Sequence, residues 1–341
     1  MTLADLRVVT YHHSRHSPHA GYDGLARYAG AALRARPLSR RLVPKRVMSL
    51  LAGGVLAYDW ESLATELRAG ADLLTRRGCT YHVLYAENTY RYLGLLEGFR
   101  RNRIVATFHL PMWAHHAAVR SEHHLRRLSA VICVGSTQMD YFTGVVGAER
   151  TFLVPHGVDV EHFRPPDDFA ARDAERYLFV GEHLRDFATL RAALNRIAAA
   201  LPHMRCVALT GNREVSRYDT DAAVLRRPDV PEAELLRLYR NTALLLLPLV
   251  DAVASNTILE ALACGLPIIT TDVGAIRDYV TPECAVLVAP GDAAALATAA
   301  IELLNDAPRR QAMALAARRQ ALTFAWPEIV RQLRAVYAAV A

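Results

Sequence analysis

The strongest constraint on this chain is an alternation of short apolar strand-like runs with helical stretches, which occurs twice and is interrupted once by a proline-rich segment. Residues 6–10 (LRVVT), 81–85 (YHVLY), 104–108 (IVATF) and 130–134 (AVICV) are rich in β-branched and aromatic side chains. Strand followed by helix in this rhythm predicts a parallel α/β sheet. After the first strand, Leu25, Ala26, Ala29, Ala32 and Leu33 have helical spacing, so a helix is expected there. Residues 154–166 (VPHGVDVEHFRPP) carry three prolines and a glycine and read as a connection between domains. A second alternation follows, with strands at 177–180, 206–210, 243–247, 267–270 and 285–288 and helices at 188–200, 232–239, 257–263 and 293–304. From Pro308 the tail reads as two helices broken near Trp326 and Pro327.

The length, 341 residues, allows about two domains with a core each. The longest uncharged runs are well short of the roughly 20 residues needed to cross a bilayer, and the first residues lack the order of a secretion signal. A cytoplasmic location is expected. Cys79, Cys133, Cys206, Cys264 and Cys284 are scattered among apolar neighbours without a Cys-x-x-Cys pair, as reduced core thiols are. The net charge of +6 is uneven. Arg27, Arg34, Arg36, Arg40, Arg41, Lys45 and Arg46 follow one another without an acid, and such a block suits an anionic membrane surface, an acidic glycan or plain solvation. Pro37 and Pro44 predict a loop or short turns there in place of one unbroken helix.

Doubly wound sheets bind ligands beyond the carboxyl ends of their strands, where the strand order reverses. The segment Ser255, Asn256, Thr257 followed by ILEALAC and Gly265 has the grammar of a capped helix whose start is exposed on that side. Free amides and the positive helix end there favour an anion, phosphate above all. Histidines cluster at His12, His13, His16 and His19 and again at His115, His116, His123 and His124, the latter on one expected helical stretch. Adjacent histidines on a helix diverge, so no metal site is expected.

SNTILEALACGLPIITTDVGAIRDYV resembles the best-known stretch of the retaining nucleotide-sugar glycosyltransferases of family four, VPHGVDVEHFRP their interdomain segment, LFVGEHLRDFATL their nucleotide-domain opening and FAWPEIVRQLRAVY their terminal helix. The likeness is ordered over about residues 150–341 and looser before, through HSPHAGYDGLARY, IVATFHLP and AVICVGSTQ. It implies the GT-B architecture: two facing Rossmann-like domains, an acceptor domain at 1–155 and a nucleotide-sugar domain at 156–323, with the helix at 324–341 packing back on the first. It also implies transfer of a sugar from a UDP- or GDP-sugar, with retention, to a glycan or lipid-linked acceptor, without metal or other cofactor. Rival readings are a nucleotide-sugar epimerase or hydrolase and a non-catalytic binding subunit.

The same resemblance assigns residues. Glu260 would hold the ribose hydroxyls, and Ser255, Asn256 and Thr257 would hold the diphosphate. Arg185 would neutralise the leaving phosphate, helped by Arg213. Gly21 and Gly24 would form a glycine loop, and His109 would reach the reacting sugar. Three positions depart from the family pattern: Glu182 and Asp186 or Phe187 stand where cations are usual, and Ala252 stands where the first acid of a glutamate pair is usual, with Asp251 beside it.

Overall fold

A computed structural model describes residues 5–10, 19–53, 55–119, 122–212, 224–227 and 230–341. The chain divides into two units, residues 1–157 with 326–341, and residues 158–325.

In the first unit six parallel strands, β1 (Leu6–Val9), β2 (Ala31–Leu33), β3 (Thr80–Val83), β4 (Arg103–Phe108), β5 (Ala130–Cys133) and β6 (Thr151–Leu153), lie in the order β2-β1-β3-β4-β5-β6. The inner strands β1, β3 and β5 are buried along their whole length, so both faces are covered. Helices α1 (Lys45–Ala52), α2 (Trp60–Thr75), α3 (Ala86–Thr89), α4 (Met112–Ala118) and α5 (Met139–Val146) join them, and the final helix, Trp326–Val340, completes this unit. Glu66 of α2 is buried, and its Oε1 accepts from the amides of Arg91, Tyr92 and Leu93 at 2.7, 2.7 and 2.8 Å, while Tyr58 donates to Oε2. That carboxylate fixes the loop after α3.

The helix expected from Leu25 to Leu33 does not form. A single 3-10 turn spans Tyr22–Arg27 and the chain then enters the edge strand β2, with Arg7, Val8 and Val9 paired to Ala31, Ala32 and Leu33. Gly30 decides this: its φ is +73°, and a Cβ there would lie 2.8 Å from the Leu6 carbonyl oxygen. A helix cannot run through that conformation, and the sheet edge supplies the backbone partners instead. The histidine stretch is also divided, since α4 carries His115 and His116 but ends at Ala118. His12, His13 and His16 lie outside the described residues.

The second unit repeats the plan. Strands β7 (Arg176–Val180), β8 (Arg205–Leu209), β9 (Val224–Arg226), β10 (Leu245–Leu247), β11 (Ile268–Thr271) and β12 (Ala285–Val288) form a parallel sheet ordered β12-β11-β10-β7-β8-β9. Helices α6 (Phe187–Ala200), α7 (Glu232–Asn241), α8 (Asn256–Ala263), α9 (Ala293–Asn305) and α10 (Ala307–Thr323) connect and cover it. The last helix of the chain is α11 (Trp326–Val340). Numbered within the unit the order is 6-5-4-1-2-3, the doubly wound Rossmann order, and its reversal falls between β7 and β10. The fold is α/β with two Rossmann-like domains, as the sequence led us to expect. The five cysteines are buried free thiols. Among the described residues no helix is long and apolar enough to cross a membrane.

Candidate functional site

The carboxyl ends of β7 and β10 converge on the start of α8. Beyond β7 the chain turns at Gly181, whose φ is +96° and where a Cβ would lie 2.8 Å from Arg185 Nη2. This absence of a side chain lets the Arg185 guanidinium fold back under the strand end. Its Nε donates to the Val180 carbonyl at 2.9 Å, Nη1 to the His183 carbonyl at 3.0 Å and Nη2 to Thr257 Oγ1 at 3.0 Å. Burial pushes its pKa down to about 10, with Tyr239 and Glu260 opposing, so it remains a cation at neutral pH.

Ser255 caps α8, its Oγ accepting from the Ile258 amide at 3.4 Å. The first amides of a helix have no partner within it, so α8 presents the N–H groups at Asn256 and Thr257 and its positive end beside Arg185. Ser255 and Thr257 are buried and Asn256 is half-buried. One turn further, Glu260 is buried and its Oε2 accepts from the Tyr239 hydroxyl at 3.0 Å. Burial raises its pKa to about 8; the Tyr239 hydrogen bond and Arg185 lower it, and Glu232 raises it. Burial without a ligand therefore favours the protonated form of Glu260. Tyr239 carries no sequence signal beyond an apolar position on α7.

The departures from the family pattern have local explanations. Glu182 Oε1 accepts from the Gly211 amide at 2.6 Å and ties the ends of β7 and β8 together. Asp186 caps α6, accepting from the Thr189 amide at 2.9 Å. Asp251 Oδ1 accepts from the neighbouring Ala252 amide at 2.7 Å, while Ala252 is buried. Gly274 crosses this loop with φ +52°, and a Cβ there would run into the Ala252 carbonyl and lie 2.5 Å from Asp251 Oδ1. The loop is thus held by Asp251, and the carboxyl oxygen that does so is committed to it. Arg213 lies outside the described residues.

The first unit gathers a different set at its own strand ends. Gly21 has φ +85°, and Tyr22 beyond it is fully buried, its amide donating to Tyr85 Oη at 3.0 Å while Tyr85 donates to Asp23 at 2.9 Å. A Cβ at Gly24 would lie 2.9 Å from Trp326 Nε1, so this glycine is needed for the close approach of α11. His109 follows β4; its amide donates to Glu87 Oε1 at 3.1 Å, and its Nδ1 lies 3.7 Å from the same oxygen. Its ring meets Tyr22 edge-on at 4.8 Å and Tyr85 at 4.9 Å. Burial would raise Glu87, but the adjacent His109 outweighs it and leaves the carboxyl below its ordinary range. His82, beneath, bonds Tyr337 at 2.7 Å and Thr107 at 2.6 Å, and burial lowers its pKa to about 3, so it stays neutral. Sequence reasoning missed Glu87 and Tyr85; the only hint was an acid just past an apolar strand, in YAENTY.

Comparison with known proteins agrees with this geometry. Residues 174–306, which hold Arg185, α8 and Glu260, match the family described as Glycosyl transferases group 1. The match lies within the second unit. D-inositol 3-phosphate glycosyltransferase 1 of Catenulispora acidiphila is 30% identical over 228 residues, 59% of this chain and 54% of that protein. A D-inositol 3-phosphate glycosyltransferase of Geodermatophilus obscurus is 32% identical over 218 residues, 56% of this chain and 48% of that protein. The chain thus spans about half the length of the curated relatives it matches. Among solved structures, sucrose-phosphate synthase from Thermosynechococcus elongatus shares the fold, with a TM-score of 0.65 and 21% identity over 91% of this chain and 82% of that one. Anabaena HepE in complex with UDP gives 0.62 and 16%, covering 82% and 83%. These glycosyltransferase-type neighbours show the GT-B-like fold alone, because their identities are low.

Proposed function

We propose that the protein transfers a sugar from a nucleoside-diphosphate sugar to a glycan or glycolipid acceptor, with retention of configuration. One observation carries the reading: the Arg185 guanidinium sits against the first turn of α8, bonded to Thr257, at the strand-order reversal of the unit that matches the group 1 glycosyltransferases. As the glycosidic bond to the diphosphate breaks, the sugar becomes oxocarbenium-like and negative charge grows on the departing phosphate. A fixed cation and a helix start meet that charge without reorganising. Among the described residues Arg185 bonds only two carbonyls and the Thr257 hydroxyl, which suits entry of the acceptor on the leaving-group face, with the departing phosphate taking its proton. Glu260 holds the ribose hydroxyls in this reading, and the first unit, with its ring cluster around His109, takes the sugar or acceptor. Incubating the purified protein with UDP- and GDP-sugars and an acceptor panel tests it. Nucleoside diphosphate release with a new α-linked product from an α-donor supports the reading, and an inverted product removes retention. Binding without turnover would favour the non-catalytic reading, which the buried Ala252 in place of an acid keeps in play.

The acceptor reading includes a membrane. Leu42 and Leu50 are 76% and 80% exposed, and Val47 stands one turn before Leu50 on α1, among exposed Arg41, Lys45 and Arg46. Met48, on the other side of α1, is buried with Val55, Tyr58, Leu63 and Val119. Not every cation of the block is available, since Arg34 pairs with Glu61 and Arg40 lies over Trp60. Each remaining cation near an anionic surface contributes about 1 kcal/mol. Sedimentation with anionic vesicles at low salt, lost with neutral lipid or in Leu50→Glu, is the expected result; equal partitioning to both lipids rejects the membrane.

A further inference from the structure

The other end of α8 has its own charged cavity, and it goes beyond the donor reading. At the amino ends of the strands of the second unit, a cavity of about 380 Å³ is lined by Phe169, Arg172, Ala174, Pro267, Arg310 and Gln311. No acid lines it. Arg172 donates Nη2 to the Cys264 carbonyl at 2.7 Å, just past the carboxyl end of α8, and its guanidinium stacks 5.2 Å over Phe169. Its Nε and Nη1 are buried and have no hydrogen-bond partner. Burial pushes its pKa down to about 10, and Arg310 is lowered by burial as well, with Asp306 opposing. Arg310 spends Nη1 on the carbonyls of Leu303 and Leu304.

A buried guanidinium with idle N–H groups is costly unless an anion meets it. Here the Arg172 side chain lines a mostly apolar chamber with Arg310 beside it, and a guanidinium suits phosphate or carboxylate oxygens. We propose that this cavity binds a small anion, a phosphate or carboxylate carried on an apolar or ring body, with Arg172 as its main ligand, Arg310 as a second cation and Phe169 beside the body. The size is within the range of small-molecule sites. This site is separate from the anion end of α8: it takes its ligand at the carboxyl end of the same helix, on the opposite edge of the sheet.

The test uses the full chain saturated with UDP, so that anion binding at the amino end of α8 does not contribute. Calorimetry and thermal melts are run with phenyl phosphate, benzoate and neutral benzyl alcohol. Saturable one-to-one binding of either anion, at least tenfold tighter than benzyl alcohol, is expected. Phenyl phosphate over benzoate, or the reverse, tells which acid group the cavity takes. Arg172→Gln and Ala174→Phe should each weaken the anion by tenfold or more, the second by filling the cavity without removing a helix cap. Arg185→Ala should leave the anion unaffected. Equal binding by the native chain and Ala174→Phe, or no saturable binding of either anion, overturns the proposal. Should UDP itself fail to bind, anion binding lost in Ala174→Phe and retained in Arg185→Ala still supports this cavity while removing the donor reading.

Discussion

The two units are built on nearly the same plan yet carry opposite chemistry at the carboxyl ends of their strands. In the second, a cation and a helix start meet at the carboxyl ends of β7 and β10, and burial raises the pKa of the nearby Glu260 to about 8. In the first, Tyr22, Tyr85 and His109 gather beyond the ends of β1, β3 and β4 around the buried carboxyl of Glu87, with His82 held neutral below. A parallel sheet fixes where a ligand is met, because helix starts and loops collect at one edge. The side chains there decide what charge is welcome. The second unit suits a phosphate, and the first suits neutral, hydroxyl-bearing groups that hydrogen-bond and stack.

The comparison breaks first at Arg185. Arg185→Ala should cut turnover by about 10²- to 10³-fold, the usual scale for one lost charge-stabilising donor, with a smaller change in nucleotide affinity, and Arg185→Lys should recover part of it. Steady-state release of nucleoside diphosphate set beside calorimetric affinity measures this; an unaltered rate would move the anion site away from the α8 start.

Glu260→Ala should weaken nucleoside-diphosphate binding by about 1 to 3 kcal/mol. The sign of its pH dependence is fixed by the raised pKa. If the ribose hydroxyls donate to the carboxylate, binding must first remove a proton below about pH 8, so native affinity rises with pH toward 8 and then levels. Glu260→Gln should be flat over that window. Stability runs the other way: the folded state holds a proton that the unfolded state releases above its ordinary value of 4.5, so stability from this group falls as pH rises from 4.5 to about 8. Melts at pH 5 and pH 9 should show Glu260→Gln gaining on the native protein at the higher pH.

In the first unit the expected effect is on stability. A Cβ at Gly157 would run into the Trp326 indole, so Gly157→Ala should cost about 1 to 3 kcal/mol by overpacking and should loosen α11 before it touches nucleotide binding. Denaturant unfolding followed through tryptophan fluorescence reads the loss; a native-like midpoint would show that the indole yields freely. The smallest expected effect is that of chelation, since Arg185 and the α8 start supply the charge that an ion would. Transfer should continue in EDTA, and loss restored by manganese or magnesium would revise the second unit from a cation-built site to a metal-built one.

The sequence alone carried the alternation, the break between domains, the two-helix tail and the start of α8, because each rests on local spacing, caps and prolines. It could not reveal that Gly30 turns an apparent helix into an edge strand, since only the neighbouring Leu6 carbonyl makes the difference. Nor could it pair Arg185 with Thr257, Glu260 with Tyr239 or Arg172 with Cys264, residues far apart in the chain. Burial then acted on the charged groups: it raised the pKa of Glu260 to about 8 and left two Arg172 donors without a hydrogen-bond partner. Local sequence fixes the elements because their hydrogen bonds close within a few residues. Protonation and unmet hydrogen bonds depend on how much water the packed chain removes, and only tertiary structure decides that.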